Sequence, residues 1–171
     1  MNIRPIGPID IHHLLAATWR ERERISPRLT LFRDKDGDKA IMALKEWVAI
    51  RNALRLVKRL LHAQLAAAHP PDQPIEWGIV AFERLAPGEN QPWVAGGDYA
   101  LAHQRFMLPL LVPPGSGVIV GIDTMAGAPG VLYWLNNRVP YCSINLGESM
   151  RLHLIVDVRD PGETTKRPAD S

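Results

Sequence analysis

One cysteine, Cys142, among 171 residues excludes an internal disulfide framework and any multi-cysteine zinc site, so packing alone must hold the fold. A reducing compartment is the simplest setting for such a chain. Charge of one sign is also lacking: 20 Lys and Arg stand against 18 Asp and Glu, a net +2 too slight to call for a nucleic-acid or membrane partner. No run approaches the ~18 apolar residues of a membrane span, and the opening MNIRPIGPID has no apolar core of signal-peptide length. A cytoplasmic protein with neither kind of partner is the expectation. What is present, 46% hydrophobic and 22% charged residues, is the composition of one soluble globular domain.

The chain changes character near residue 70. Asp10 is a plausible N-cap for a short helix over residues 10–24, followed by the Pro-punctuated, extended RISPRLTLFRD. A longer helix is expected from Lys39 to Ala68, capped by Asp38, with Ile41, Leu44, Val48, Leu54, Val57, Leu61 and Leu65 forming a core-facing stripe. Arg51, Arg55, Lys58 and Arg59 read as a solvated basic face beside it. HPPDQP at 69–74 stops the helix, because prolines remove donors and force the preceding residue out of the helical region. Beyond it, EWGIVAFERL, HQRFMLPLLV, GVIVGI, GVLYWL, VPYCSIN and MRLHLIVDV are short β-prone runs separated by turn signals. Six or seven such strands predict an antiparallel sandwich or barrel. The tail from Pro161 has nothing to bury and is expected to be disordered, which leaves 1–160 as one domain: helices over 1–70, a β core over 75–160.

No metal cluster stands out in the helical half. DKDGDK at 34–39 resembles a calcium loop, but its twelfth position is Lys45 where a bidentate carboxylate is needed, so a turn with a helix cap is the reading kept. His12 and His13 diverge around a helix, and His62 and His69 lie two turns apart. The β half carries more chemistry. Alternation places His103, Arg105 and Met107 on one side of one strand, and Arg151, His153, Ile155 and Asp157 on one side of the last. Arginines inside apolar strands must reach solvent or meet an anion, and two that could face one concavity favour a carboxylate or phosphate site.

From about Trp77 to Pro161 the sequence resembles the aspartyl/asparaginyl β-hydroxylases, iron(II)- and 2-oxoglutarate-dependent oxygenases. The resemblance rests on FERLAPGENQPWVAGGDY, HQRFMLPLLVPPG and PGVLYWLNNRVPYCSINLGESMRLHLIVDVRDP. Leu85, Pro87, Gly88, Arg105, Pro109, Leu110, Pro129, Gly130, Trp134, Asn137, Pro140, Asn145, Arg151, His153 and Asp157 match the family's blocks. The resemblance implies a double-stranded β-helix, jelly-roll or cupin-like, in an α+β fold with the N-terminal helices packed on it. It also implies that Arg151 sits where the family's arginine binds the distal carboxylate of 2-oxoglutarate.

The chain departs from the family at the donor positions, where Trp93 and Ala95, Met107 and Tyr141 stand for the usual histidines and acid. Trp and Ala offer iron(II) no donor, and a thioether is too soft. The expectation is therefore no metal, neither iron nor 2-oxoglutarate as cofactor, and a metal-independent enzyme of small-molecule biosynthesis. Cyclisation, isomerisation or elimination would occupy the former pocket. Tyr141, His153 and His103 are its candidate catalytic residues, and Arg151, Arg105, Trp93, Met107 and Trp134 would bind a small, possibly carboxylate-bearing ligand. A non-catalytic binding protein and a 2-oxoglutarate-dependent hydroxylase with unusual ligation are the alternatives.

Overall fold

The structure, a computed structural model, describes residues 1–21, 28–32 and 44–159. The expected turn and cap at 34–39, the first residues of the second helix and the tail from Pro161 lie outside them. Among the described residues, nine strands and three helices run in the order β1 (Ile3–Pro8), α1 (His12–Glu21), β2 (Arg28–Phe32), α2 (Leu44–Gln64), β3 (Trp77–Leu85), α3 (Gly97–Ala102), β4 (His103–Leu111), β5 (Ser116–Val120), β6 (Asp123–Met125), β7 (Val131–Leu135), β8 (Tyr141–Asn145) and β9 (Arg151–Arg159).

Six strands form a sheet in the order β1-β7-β4-β9-β3-β2, and β6-β5-β8 form a second, smaller one. Every strand pairing is antiparallel. Residues 90–94 extend the small sheet through single bridges from Asn90 to Ile144 and from Val94 to Tyr141. Between the sheets, Ile3, Met107, Val118, Val120, Leu135 and Ile155 close on one another as a barrel core. This is the double-stranded β-helix, within an α+β fold, that the sequence led one to expect.

The other face of the large sheet carries a second core. Phe82, Phe106, Leu108, Leu132, Leu154 and Val156 pack there against Ile50, Ala53, Val57 and Leu61 of α2 and Leu14 of α1. Asp10 Oδ1 accepts from the His12 amide at 3.0 Å and so caps α1 as expected. In α2 the buried stripe is rotated from the one expected: Val48 is 49% exposed, whereas Ile50 and Ala53 face the sheet. Leu54 and Leu65 pack only at its margin. Alternation places even-numbered β4 and β9 residues on the helical side and odd-numbered ones on the barrel side, up to the irregularity between Pro109 and Leu111 that returns Leu111 to the helical core.

Candidate functional site

Register decides which polar side chains meet inside the barrel. In β4 and β9, Arg105 is opposite Asp157 and Met107 opposite Ile155; in β3 and β9, Glu83 is opposite His153. Arg105 Nε donates to Asp157 Oδ1 at 2.8 Å and its NH2 to Oδ2 at 2.7 Å, a fork-to-fork pair with both partners buried. Burial opposes the guanidinium's charge, but the hydrogen bond and charge of Asp157 outweigh it and hold Arg105 protonated more firmly than usual. NH1 of the same group donates to the Tyr141 hydroxyl, and the guanidinium carbon lies 5.4 Å from the Tyr141 ring centroid. Tyr141 thus points into the barrel toward Arg105.

Tyr99, on α3, closes this cluster from the mouth of the barrel. Its hydroxyl accepts from the Ile79 amide at 2.8 Å, and its ring stacks on His103 at 4.0 Å between centroids. Burial, with the negative charge of Asp157 next, pushes the Tyr99 phenol well above its ordinary value. His103 Nδ1 contacts the Tyr99 carbonyl oxygen at 3.1 Å. His103 and Tyr99 thus stand beside the cluster of Arg105, Asp157 and Tyr141, within reach of the charge of Asp157.

A second cluster lies deeper along β9. Arg151 is 1% exposed, yet among the described residues no carboxylate forms a salt bridge with it. Its NH1 reaches only the Ile144 carbonyl at 3.4 Å, and its Nε is buried with no hydrogen-bond partner. Burial lowers its pKa to about 10 against the opposing charge of Glu83. Arg151 NH2 lies 3.3 Å from His153 Nδ1. A guanidinium can only donate, so Nδ1 accepts and the neutral ring carries its proton on Nε2. That Nε2 is likewise buried without a partner. Burial, then the charge of Arg151, holds the imidazole well below its ordinary pKa. Met107 Sδ abuts Nδ1 at 2.7 Å, and Ser143 Oγ donates to Glu83 Oε1 at 2.8 Å.

The eight residues singled out from the sequence thus separate. Arg105, Met107, Tyr141, Arg151 and His153 converge in the barrel, and His103 sits at its mouth. Trp93 does not: it is 56% exposed, on the segment that bridges to the small sheet at Asn90 and Val94. Trp134 does not either, because it pairs with Phe106 and Arg4 in register and so faces the helical side with them. Tyr99, Glu83, Ser143 and Asp157 belong to the site but were not chosen. Alternation in the EWGIVAFERL strand puts Glu83 on the face of Ala81 and Leu85, the one available hint; Tyr99 lies on a helix the sequence reading missed. Surface cavities of about 630, 500, 470 and 300 Å³ are all lined by other residues than Arg151 and Tyr141.

No family model matches the sequence, and no curated protein matches it. Solved structures do match in fold. The viral collagen prolyl hydroxylase vCPH from Paramecium Bursaria Chlorella virus-1, as its 2OG complex, superimposes with TM-score 0.63 at 11% identity over 94% of this chain and 96% of that one. AviO1 from Streptomyces viridochromogenes Tue57 gives 0.61 at 14% identity over 99% and 93%, and a 2OG-Fe(II) oxygenase family oxidoreductase from Burkholderia pseudomallei 0.62 at 13% over 92% and 83%.

These likenesses overturn the expectation that iron and 2-oxoglutarate are foreign to the chain, since its neighbours in fold include a prolyl hydroxylase solved as its 2OG complex and an oxidoreductase of the 2OG-Fe(II) oxygenase family. The metal-independent cyclase or isomerase finds no support among them. The residues present fit the two groups differently. Two orphaned buried donors, Arg151 Nε and His153 Nε2, suit a carboxylate such as that of 2-oxoglutarate. For iron(II), no three His, Cys, Asp or Glu side chains are grouped to hold a metal ion among the described residues, and both oxygens of Asp157 are engaged by Arg105. This donor set does not fit iron, and no chemical step through it follows. What the chain shares with these neighbours is their fold.

Proposed function

We propose that the chain follows the 2-oxoglutarate-dependent hydroxylases in what it binds: 2-oxoglutarate, or a dicarboxylate like it, enters the barrel, and its distal carboxylate is held by Arg151. The observation that carries this is a guanidinium buried to 1% exposure with no acid paired to it among the described residues, its Nε unpartnered, and a neighbouring His153 whose Nε2 is unpartnered as well. An unsatisfied buried donor costs roughly 1–3 kcal/mol, which a carboxylate would relieve at both positions. Neutral His153 adds a hydrogen bond without adding charge repulsion against Arg151. The match of Leu85, Pro87, Gly88, Arg105 and Arg151 to the aspartyl/asparaginyl β-hydroxylase blocks supports the same reading, and the neighbours make oxidation of a second small molecule the reaction class to test.

The closed network of Arg105, Asp157 and Tyr141 favours one second reading, a protein that binds the dicarboxylate without turning it over. Calorimetric titration with 2-oxoglutarate, with and without iron(II), and measurement of succinate decide between them. Saturable binding weakened at least ~tenfold by Arg151→Lys, which loses the planar two-point contact, is expected. Succinate formation then supports the hydroxylase and its absence the binding protein. Equal affinity in wild type and Arg151→Lys would remove Arg151 from the site.

A further inference from the structure

Two cavities adjoin on the helical face of the large sheet, where α1 meets the last residues of β4, and the function proposed above uses neither. One, of about 500 Å³, is lined by Arg84, Leu111, Met150 and Trp19; the other, of about 470 Å³, by His12, Leu15 and Ala16, again with Leu111 and Trp19. Each lies within the ~300–1,000 Å³ range of small-molecule sites. Strand register and helical spacing fix their course. Arg84 is opposite Leu152 in the β3–β9 pair and Leu111 opposite the same Leu152 in the β4–β9 pair, so the three form one row across adjacent strands. The β4 irregularity after Pro109 is what turns Leu111 to this side. Two strand spacings make that row about 10 Å long. His12, Leu15, Ala16 and Trp19 recur at i, i+3, i+4 and i+7 along α1, a stripe of about another 10 Å. The two lengths meet at Trp19 and Leu111 and form one groove.

Charge sits at one end of it. Arg84 is half-buried, its Nε is buried with no hydrogen-bond partner, and among the described residues no carboxylate forms a salt bridge with it. Its chain neighbour Glu83 is on the barrel side, engaged by Ser143. No Asp or Glu is among the described residues that line either cavity, and from Leu111 to Leu15 the ground is apolar. A buried donor without an acceptor suits an anion. A long apolar path leading away from it suits a chain, rather than a compact polar metabolite.

We propose that this groove binds a fatty acid or a comparable alkyl carboxylate. The carboxylate meets the Arg84 guanidinium, and the alkyl chain runs past Leu111 and Trp19 along the exposed stripe of α1. The groove shares no lining residue with the barrel cluster, and Arg84 and Arg151 lie on opposite faces of the sheet.

Indole-¹⁵N-labelled protein tests this, with decanoate below its micelle-forming concentration as the probe and Trp19→Phe assigning the resonance. Decanoate is expected to move the Trp19 signal saturably. Octanoate should bind at least fivefold more weakly, since each buried methylene is worth about fourfold in affinity, and uncharged decanol at least tenfold more weakly. Arg84→Gln should weaken decanoate tenfold or more, and so should Ala16→Glu, which places an acid in the alkyl path at an exposed helix position; circular dichroism checks that both variants fold. Arg151→Lys should change nothing. Equal binding of acid and alcohol, affinity independent of chain length, or insensitivity to Arg84→Gln would overturn the proposal. So would loss of binding in Arg151→Lys, which would put the acid in the barrel, or a Trp19 shift that tracks dimer formation without ligand, which would make the groove an interface between copies.

Discussion

At the scale of single residues, the barrel holds two cations in opposite circumstances. Arg105 is fully answered by Asp157. Removing that acid strands a buried guanidinium, so Asp157→Ala should cost about 3–5 kcal/mol, measured by urea unfolding, with Arg105→Met in the same chain recovering much of the loss. His153 makes a different prediction. Its folded pKa lies well below the ordinary value of about 6.5, so the unfolded chain binds a proton there that the native chain refuses. Stability must therefore fall as pH drops through about 6.5, with a slope of up to about 1.4 kcal/mol per pH unit from this group. Comparison of wild type with His153→Gln at pH 7.5, 6.5 and 5.5 isolates it; parallel curves would assign the acid sensitivity elsewhere. The sequence showed that Arg105 and Asp157 each face one side of a strand, because alternation is local. That they face each other depends on a register between residues 52 apart, which no local signal carries.

At the scale of elements, strong β-runs bounded by Pro and Gly turns were readable, and β3, β4, β7, β8 and β9 fall within a residue or two of the runs quoted. Three elements were not. β1 reads as a Pro-broken N-terminus and exists because IRPIGP pairs along β7 at the sheet edge, where prolines are tolerated. β6 is three residues long. α3 is the consequential omission: GDYALA is one and a half turns, too short for a periodic signature, yet it delivers Tyr99 and His103 to the barrel mouth. Its docking depends on Gly78 of β3, where an added Cβ would collide with the Tyr99 hydroxyl and come within 2.6 Å of His103 Cδ2. Gly78→Ala should therefore displace Tyr99 from the Ile79 amide and cost roughly 1–3 kcal/mol. Loss of exchange protection at that amide, with β7 and β8 unaffected, is the expected readout. Unchanged protection would mean that α3 moves aside without loss.

For the molecule as a whole, the large sheet is shared property. Its even-numbered β4 and β9 side chains, with Leu111 past the β4 irregularity, build the core against α1 and α2, while the other odd-numbered ones build the barrel with the small sheet. The helical half cannot bury its stripe elsewhere, and the sheet cannot leave Phe106, Leu154 and Val156 in water, so 1–160 is proposed to fold as one cooperative unit. Leu61 tests this from the far side: it is fully buried in α2 and touches only the helical core. Leu61→Ala removes apolar volume there and should cost about 2–5 kcal/mol. If the unit is single, that loss must appear undiminished in the slowest-exchanging amides of the small sheet, such as those of Val118 and Val120, although no atom near them has changed. Were the barrel a separate unit, the amides of β4 and β9 would lose protection while those of β5 kept theirs. The first pattern follows from β9, whose first eight residues, Arg151 to Val158, are buried on both faces. A strand with no solvent-facing side cannot lose one core and keep the other, because exposing Leu152, Leu154, Val156 and Val158 on one face leaves Arg151, His153 and Asp157 without the fixed backbone that holds them on the opposite one.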